Sequence, residues 1–150
     1  MALFFVDYAS LGVGSIEGIN KLDSNDTIYI YYNRFSKKLP IRMVECLREC
    51  KAEFIMKDMD MVIFYEPMYT DIASRIGNAI AFQEFDKIYV ISRRRSLQEL
   101  SIAKQHCSRV IFNSSIRNAL LDSETNDNGD DSEVIVDNEQ INDSDKIISL

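Results

Sequence analysis

Five short stretches of the chain are nearly continuous in apolar residues, with amphipathic or turn-rich segments between them. Ala2-Leu-Phe-Phe-Val6 runs into Asp7 and then a small-residue turn, Ala9-Ser10-Leu11-Gly12. Thr27-Ile-Tyr-Ile-Tyr-Tyr32 is β-branched and aromatic throughout and stops at Asn33. Ala52–Met56, Lys87–Ile91 and Arg109–Phe112 complete the set, the fourth stretch ending at Ser92. Runs of this length, apolar on both alternating faces, are the pattern of strands buried on both sides of a sheet.

The intervening segments predict helices. Ser15 can cap a short one through Leu22, and Pro40 suits the first turn of another reaching about Cys50, with Ile41, Val44, Leu47 and Cys50 on its apolar face. Ile72, Ile76 and Ile80, with the small residues Ala73 and Gly77, predict a helix ending near Gln83. Ser96 opens a helix to about His106, and Ser114 or Ser115 opens a last one to Leu121. Residues 58–69, Asp-Met-Asp-Met-Val-Ile-Phe-Tyr-Glu-Pro-Met-Tyr, fit either a strand extension or a hairpin arm. Strands alternating with helices predict an α/β fold, a three-layer α/β/α sandwich around a mostly parallel five-stranded sheet.

Charge divides the chain in two. Of the net −7, residues 122–150 hold ten acids and one base, a net −9, whereas residues 1–121 hold fourteen acids and sixteen bases, a net +2. The expected organisation is a folded domain over 1–121 and an acidic, disordered tail over 122–150, since the tail lacks aromatics and has few apolar residues. Such a tail can compete for the basic clusters Arg34–Lys38 and Arg93–Arg95 at low salt. No apolar run reaches the roughly 18 residues of a membrane span, and no basic region precedes the apolar N-terminal run. Cys46, Cys50 and Cys107 are odd in number and lack the second pair of a zinc site. They read as core or half-buried thiols of a cytoplasmic protein.

In an open parallel sheet, ligands bind beyond the carboxyl ends of the strands. The candidate site is therefore Asp7, Ser10, Asn33, the segment 58–69, and Ser92, Arg93, Arg94 and Arg95. Asp7 reads plainly as a turn cap, or more sharply as a site carboxylate. A metal-dependent nuclease needs several carboxylates here; only Asp7 is well placed, with Asp58, Asp60, Glu66 and Asp71 as helpers. The three arginines match phosphate oxygens without a metal, or form a solvated basic loop. The one histidine, His106, reads as a helix-end residue, and no phosphate-binding glycine loop is present, since Gly12-Val-Gly14 lacks the third glycine and the lysine.

Phe5-Val-Asp7-Tyr-Ala-Ser-Leu-Gly12, Gly18-Ile-Asn-Lys-Leu-Asp23-Ser-Asn-Asp26, Tyr31-Tyr-Asn33, Lys37-Lys-Leu-Pro40 and Ile91-Ser92 together resemble the small bacterial PIN-like domain proteins over residues 3–113. The resemblance implies a parallel α/β/α sandwich and, in active members, a metal-dependent ribonuclease. Its acids follow the first strand, open the middle helix and follow the fourth strand. Asp7 keeps the first; the asparagine three residues on is Ser10, the helix-start acid falls on Tyr69, and those after the fourth strand fall on Arg94 and Gln98.

Three functions follow as expectations. The first is a catalytically degenerate PIN-like domain that binds RNA or a protein partner and needs no cofactor. The second is an active ribonuclease using magnesium or manganese on Asp7 with Glu66 or Asp71 as substitute ligands. The third is a pseudo-receiver signalling domain, because Asp60-Met-Val-Ile-Phe-Tyr-Glu-Pro-Met68 loosely echoes a response-regulator phosphoacceptor strand, with Tyr65 at the acceptor position. Residues 59–69, with Met61, Phe64, Tyr65 and Met68, have the composition of a homodimer or partner contact, or of an extra core strand.

Overall fold

In the computed structural model the described residues are 1–33, 41–59 and 67–127. They form a five-stranded sheet in the order β3-β2-β1-β4-β5, parallel at every pairing. The strands are β1 (Ala2–Asp7), β2 (Thr27–Tyr32), β3 (Glu53–Asp58), β4 (Lys87–Ile91) and β5 (Val110–Asn113). The α/β sandwich predicted from the alternating pattern is the observed fold. No helix among the described residues is long and apolar enough to cross a membrane.

Because side chains alternate across a strand, β1 divides its apolar residues between two cores. Phe4 and Val6 face a core with Ile28 and Ile30, covered by Met43 of helix α2 (Ile41–Arg48), Ile116 and Ala119 of the C-terminal helix, and Ile16, Ile19 and Leu22. Leu3 and Phe5 face the other core, under Ile72, Ile76 and Ala79 of α3 (Pro67–Phe82), with Leu97, Leu100 and Ala103. Phe4 stacks on Tyr89 and Phe5 on Tyr29, with centroids 4.9 and 5.5 Å apart. Asp26 pins the strand starts together, accepting from the Ala2 and Asp23 backbone N–H groups at 2.8 and 2.9 Å.

Several local expectations are corrected. The helix expected over Ser15–Leu22 is replaced by a short α1 (Tyr8–Leu11) and two 3₁₀ turns, Gly12–Ile16 and Ile19–Lys21. The Ser15 hydroxyl donates back to the Gly12 carbonyl at 2.6 Å instead of capping a helix. Helix α2 buries Met43 and half-buries Cys46, Leu47 and Cys50, whereas Ile41 is 78% exposed and Val44 lies outward too. Both stripes are apolar, but Met43, Cys46, Leu47 and Cys50 complete the i, i+3, i+4, i+7 pattern. The helix expected after Ser96 is split into α4 (Arg95–Gln98) and α5 (Ser101–Gln105), and Cys107 beyond it is exposed. The final helix α6 (Ile116–Asp127) extends past Leu121 into the acidic segment expected to be disordered. Its extension is anchored where the Tyr89 hydroxyl meets Ser123 Oγ at 2.7 Å, and Ser123 Oγ donates to the Ala119 carbonyl at 2.8 Å. The rest of the predicted tail, 128–150, lies outside the described residues, as does the loop 34–40.

Gly18 is a tight joint within one helical layer, between the 3₁₀ turns and α6. Its φ is +95°, and a Cβ there would stand 3.0 Å from the Arg117 backbone, where the Arg117 N–H already donates to the Glu17 carbonyl. Strain and clash act together, so Gly18→Ala is expected to cost about 1–3 kcal/mol or more in urea unfolding. A change within about 0.5 kcal/mol of wild type would contradict this packing, since that is the range of an unconstrained surface site.

Candidate functional site

The strand order reverses between β1 and β4, and the crevice of a parallel sheet opens at that point beyond the carboxyl ends. Asp7 ends β1 and Ser92 follows β4, so the register Val6 to Ile91 brings both to the mouth of this crevice. Asp7 is buried, and its two oxygens are engaged separately. Oδ1 accepts from the Ser10 backbone N–H at 3.1 Å, which caps α1. Oδ2 accepts from Ser92 Oγ and from Arg94 Nε, both at 2.9 Å. Ser92 Oγ in turn accepts from the Arg94 backbone N–H at 3.0 Å, and Arg94 Nε also reaches Ser10 Oγ at 3.0 Å.

The result is a latch of Asp7, Ser10, Ser92 and Arg94 across the switch point. The turn-cap reading of Asp7 is realised, and the same carboxylate lies buried at the mouth of the crevice. A carboxylate offers about four lone-pair sites, and the donors here occupy most of them. A hard divalent cation would have to displace the arginine and the Ser92 hydroxyl from Oδ2, or the Ser10 backbone N–H from Oδ1. Among the described residues no group of three or more His, Cys, Asp or Glu is arranged to hold a metal ion.

The three arginines do not act as one patch. Arg94 turns inward with its side chain 38% exposed, Arg93 is exposed, and Arg95 pairs with Glu99 at 2.9 Å on the outer surface. Asn33 follows the carboxyl end of β2, whose Tyr31 is the register partner of Asp7. Asn113, at the end of β5, was not singled out in the sequence. Its backbone carbonyl receives the Ser92 N–H at 3.1 Å, and its buried Nδ2 has no hydrogen-bond partner among the described residues. Its position after a fifth apolar run was the available signal.

Asp71 belongs to a separate network. Its Oδ2 accepts from Tyr31 Oη at 2.6 Å and from Arg75 Nε at 2.9 Å, while Arg75 Nη1 donates to Tyr29 Oη at 2.9 Å. The Arg75 guanidinium also lies 4.3 Å from the centre of the Tyr29 ring. Burial alone would raise the Asp71 carboxyl, but the hydrogen bonds from Arg75 and Tyr31 outweigh it and hold the group below the ordinary aspartate value. Burial, with the bond to Asp71, pushes the Tyr31 phenol well above its ordinary value. Asp71 thus has cationic and phenolic partners of its own, a poor starting point for a metal ligand.

Met68, expected at an interface, is instead buried in the core with Ile72 and Ile76, because it faces the sheet from the first turn of α3. Met61, Phe64, Tyr65 and Glu66 lie outside the described residues. Tyr69 is partly exposed on α3. A cleft of about 310 Å³ opens at the opposite, amino-terminal end of the sheet, rimmed by Arg75, Glu53 and Glu84, away from the latch.

Two outcomes are expected. Arg94→Ala strands the Asp7 charge and should lower stability by about 2–3 kcal/mol, toward the low end for a broken buried pair because Arg94 is partly solvated. Adding Asp7→Asn should recover part of that loss, and equal, additive effects in urea unfolding would show the two side chains are uncoupled. For the Asp71 network the two signs differ. The lowered Asp71 contributes stability present above the unfolded aspartate value and lost as pH falls through the folded one. The raised Tyr31 contributes stability present below pH about 10 and lost as pH rises beyond it. Tyr31→Phe should flatten the alkaline arm of a plot of unfolding midpoint against pH; an unchanged arm would contradict the assignment.

No protein-family model, curated protein or solved structure matches the chain, so the site stands on its own geometry.

Proposed function

We propose that this chain is a non-catalytic PIN-like domain that binds single-stranded RNA through phosphate contacts at the carboxyl edge of its sheet. The observation that carries the reading is the 2.9 Å pair between Asp7 Oδ2 and Arg94 Nε. In the resemblance to PIN-like nucleases these two positions both carry metal-binding acids. Here a guanidinium occupies the place of the second acid and satisfies the first. Two-metal or one-metal hydrolysis requires carboxylates that are free to coordinate and a water whose proton the metal acidifies. The latch provides neither, whereas its arginine-rich rim remains suited to phosphate. Arg93 is exposed beside the crevice and Arg95 follows on the outer surface in a solvated pair with Glu99, and forked guanidinium groups match phosphate oxygens.

The bases of a single strand have faces open to aromatic side chains, and the phosphates would sit along the rim from Arg93 to Arg95. Binding of this kind is electrostatic in large part and weakens as salt rises. Measured by fluorescence anisotropy with a labelled single-stranded RNA, affinity should fall with salt. Arg93→Glu with Arg95→Glu should weaken it about tenfold or more at low salt, and lower the slope of log affinity against log salt by about 0.7 for each lost contact. RNA incubated with manganese should stay intact, and Asp7→Ala should change neither binding nor integrity beyond its effect on folding. Manganese-dependent cleavage abolished by Asp7→Ala would overturn the reading in favour of an active ribonuclease. A folded protein with no salt-dependent RNA affinity would leave the domain as a protein-interaction module.

A further inference from the structure

The outer edge of β3 carries a self-complementary pattern. Among the described residues β3 pairs only with β2, through the register Thr27 to Glu53 and onward to Tyr32 with Asp58. The backbone N–H groups of Glu53 and Met59 donate toward the β2 side, to the Asp26 and Tyr32 carbonyls at 3.1 and 2.9 Å. Main-chain groups alternate along a strand, so those of Ile55 and Lys57 also point to β2. The N–H and C=O groups of Phe54 and Met56 therefore point outward, away from the sheet. Phe54 is 41% exposed, unusual for so large an apolar side chain on a strand.

We propose that a second copy of this chain pairs with β3 antiparallel, with Ile55 facing Ile55 on the twofold axis, to join the two sheets into one. In this register Phe54 of each copy lies opposite Met56 of the other, and both offer outward main-chain groups, as a hydrogen-bonded antiparallel pair demands. The flanking pair sets Glu53 of each copy opposite Lys57 of the other, on one face of the joint sheet. Opposite charges directly across an antiparallel pair are favourable and like charges are not. Moving the centre by one residue destroys this match. Centring on Phe54 places Glu53 against Ile55 and Lys51 against Lys57, and centring on Met56 places Phe54 against Asp58 and Ile55 against Lys57. Only the Ile55-centred register satisfies main-chain direction, side-chain size and charge together. A self-matching edge that has no second strand partner among the described residues is a template for pairing, and isologous twofold contacts close without forming filaments.

The test is sedimentation of the full chain over a range of concentrations up to millimolar. Wild type should associate to a dimer. Glu53→Lys places lysines against lysines, and Lys57→Glu places glutamates against glutamates, so each variant alone should lose about tenfold or more in dimer affinity. Mixed one to one, the two variants should form a heterodimer, because every cross-strand pair is then opposite in charge. The double exchange E53K/K57E should restore the homodimer. Phe54→Pro tests the main-chain part independently, since it removes an N–H that points outward and is not used by β2. That variant should keep the wild-type circular dichroism and be monomeric. A wild type that stays monomeric throughout would overturn the proposal. So would single variants that associate as wild type does, a mixture that fails to pair, or a folded Phe54→Pro protein that still dimerises.

Discussion

β1 is bonded to strands on both sides and covered on both faces, so a charge at its end can be kept only if other parts of the chain neutralise it. Asp7 is that charge, and the strand order brings its partners to it. The crossover through α3 places β4 beside β1, in parallel, with the segment after β4 over the mouth of the sheet. Ser92 then supplies a hydroxyl and Arg94 a cation, each 2.9 Å from one oxygen of Asp7. Residues far apart in sequence become a single hydrogen-bonded unit, and this unit also fixes the first turn after β1 through the Ser10 N–H. Loss of the cation would leave the buried carboxylate with only the Ser92 hydroxyl and the Ser10 N–H among the described residues, a sizeable cost against the marginal stability of a domain.

The strands were legible because nothing competes with their signal. Thr27–Tyr32 and Lys87–Ile91 coincide with β2 and β4, where β-branched and aromatic residues fill both faces. Short helices were less legible, for different reasons in each case. Between β1 and β2 the chain carries Gly12, Gly14 and Gly18, and the positive φ at Gly12 and Gly18 breaks any helix into tight turns. After β4 the buried residues are Leu97, Leu100 and Ala103, a spacing of three rather than 3.6, which suits a chain hugging the sheet in tight turns. In α2 two apolar stripes were available, and the docking of Met43 into the core with Phe4, Val6, Ile28 and Ile30 chose between them. At the C-terminus composition misled: acidic residues predicted disorder, but a serine reaching Tyr89 holds the helix onto the sheet.

The latch was legible as a neighbourhood and not as a bond pattern. Strand ends of a parallel sheet converge, so Asp7, Ser10, Ser92 and the arginines could be grouped from topology alone. Which arginine turns inward depends on the local backbone, since the Arg94 N–H must also reach Ser92 Oγ. Asp71 was read as a helper at the site because it is a helix-start acid, and the structure gives it Tyr31 and Arg75 as partners. Its signal lay in two spacings: Asp71 and Arg75 are four apart on α3, and Tyr29 and Tyr31 point to the same face of β2. Together they predict a contact between that strand and that helix, which is what the structure shows.

The same side of the sheet thus carries two acids, Asp7 and Asp71, and each is met by an arginine of its own. Each arginine is held by a second group, Ser10 Oγ in one case and Tyr29 Oη in the other. Opening either acid to a divalent cation would require more than room for the ion. It would demand removal of a guanidinium that is itself hydrogen-bonded, and the displaced arginine would then face the incoming cation at close range. Coulomb repulsion between such charges at about 4 Å amounts to several kcal/mol in partly buried surroundings, enough to offset much of the affinity of a single carboxylate. Each acid and its arginine form a neutral pair, and the Asp7–Arg94 pair is held by the same bonds that keep β1 in place.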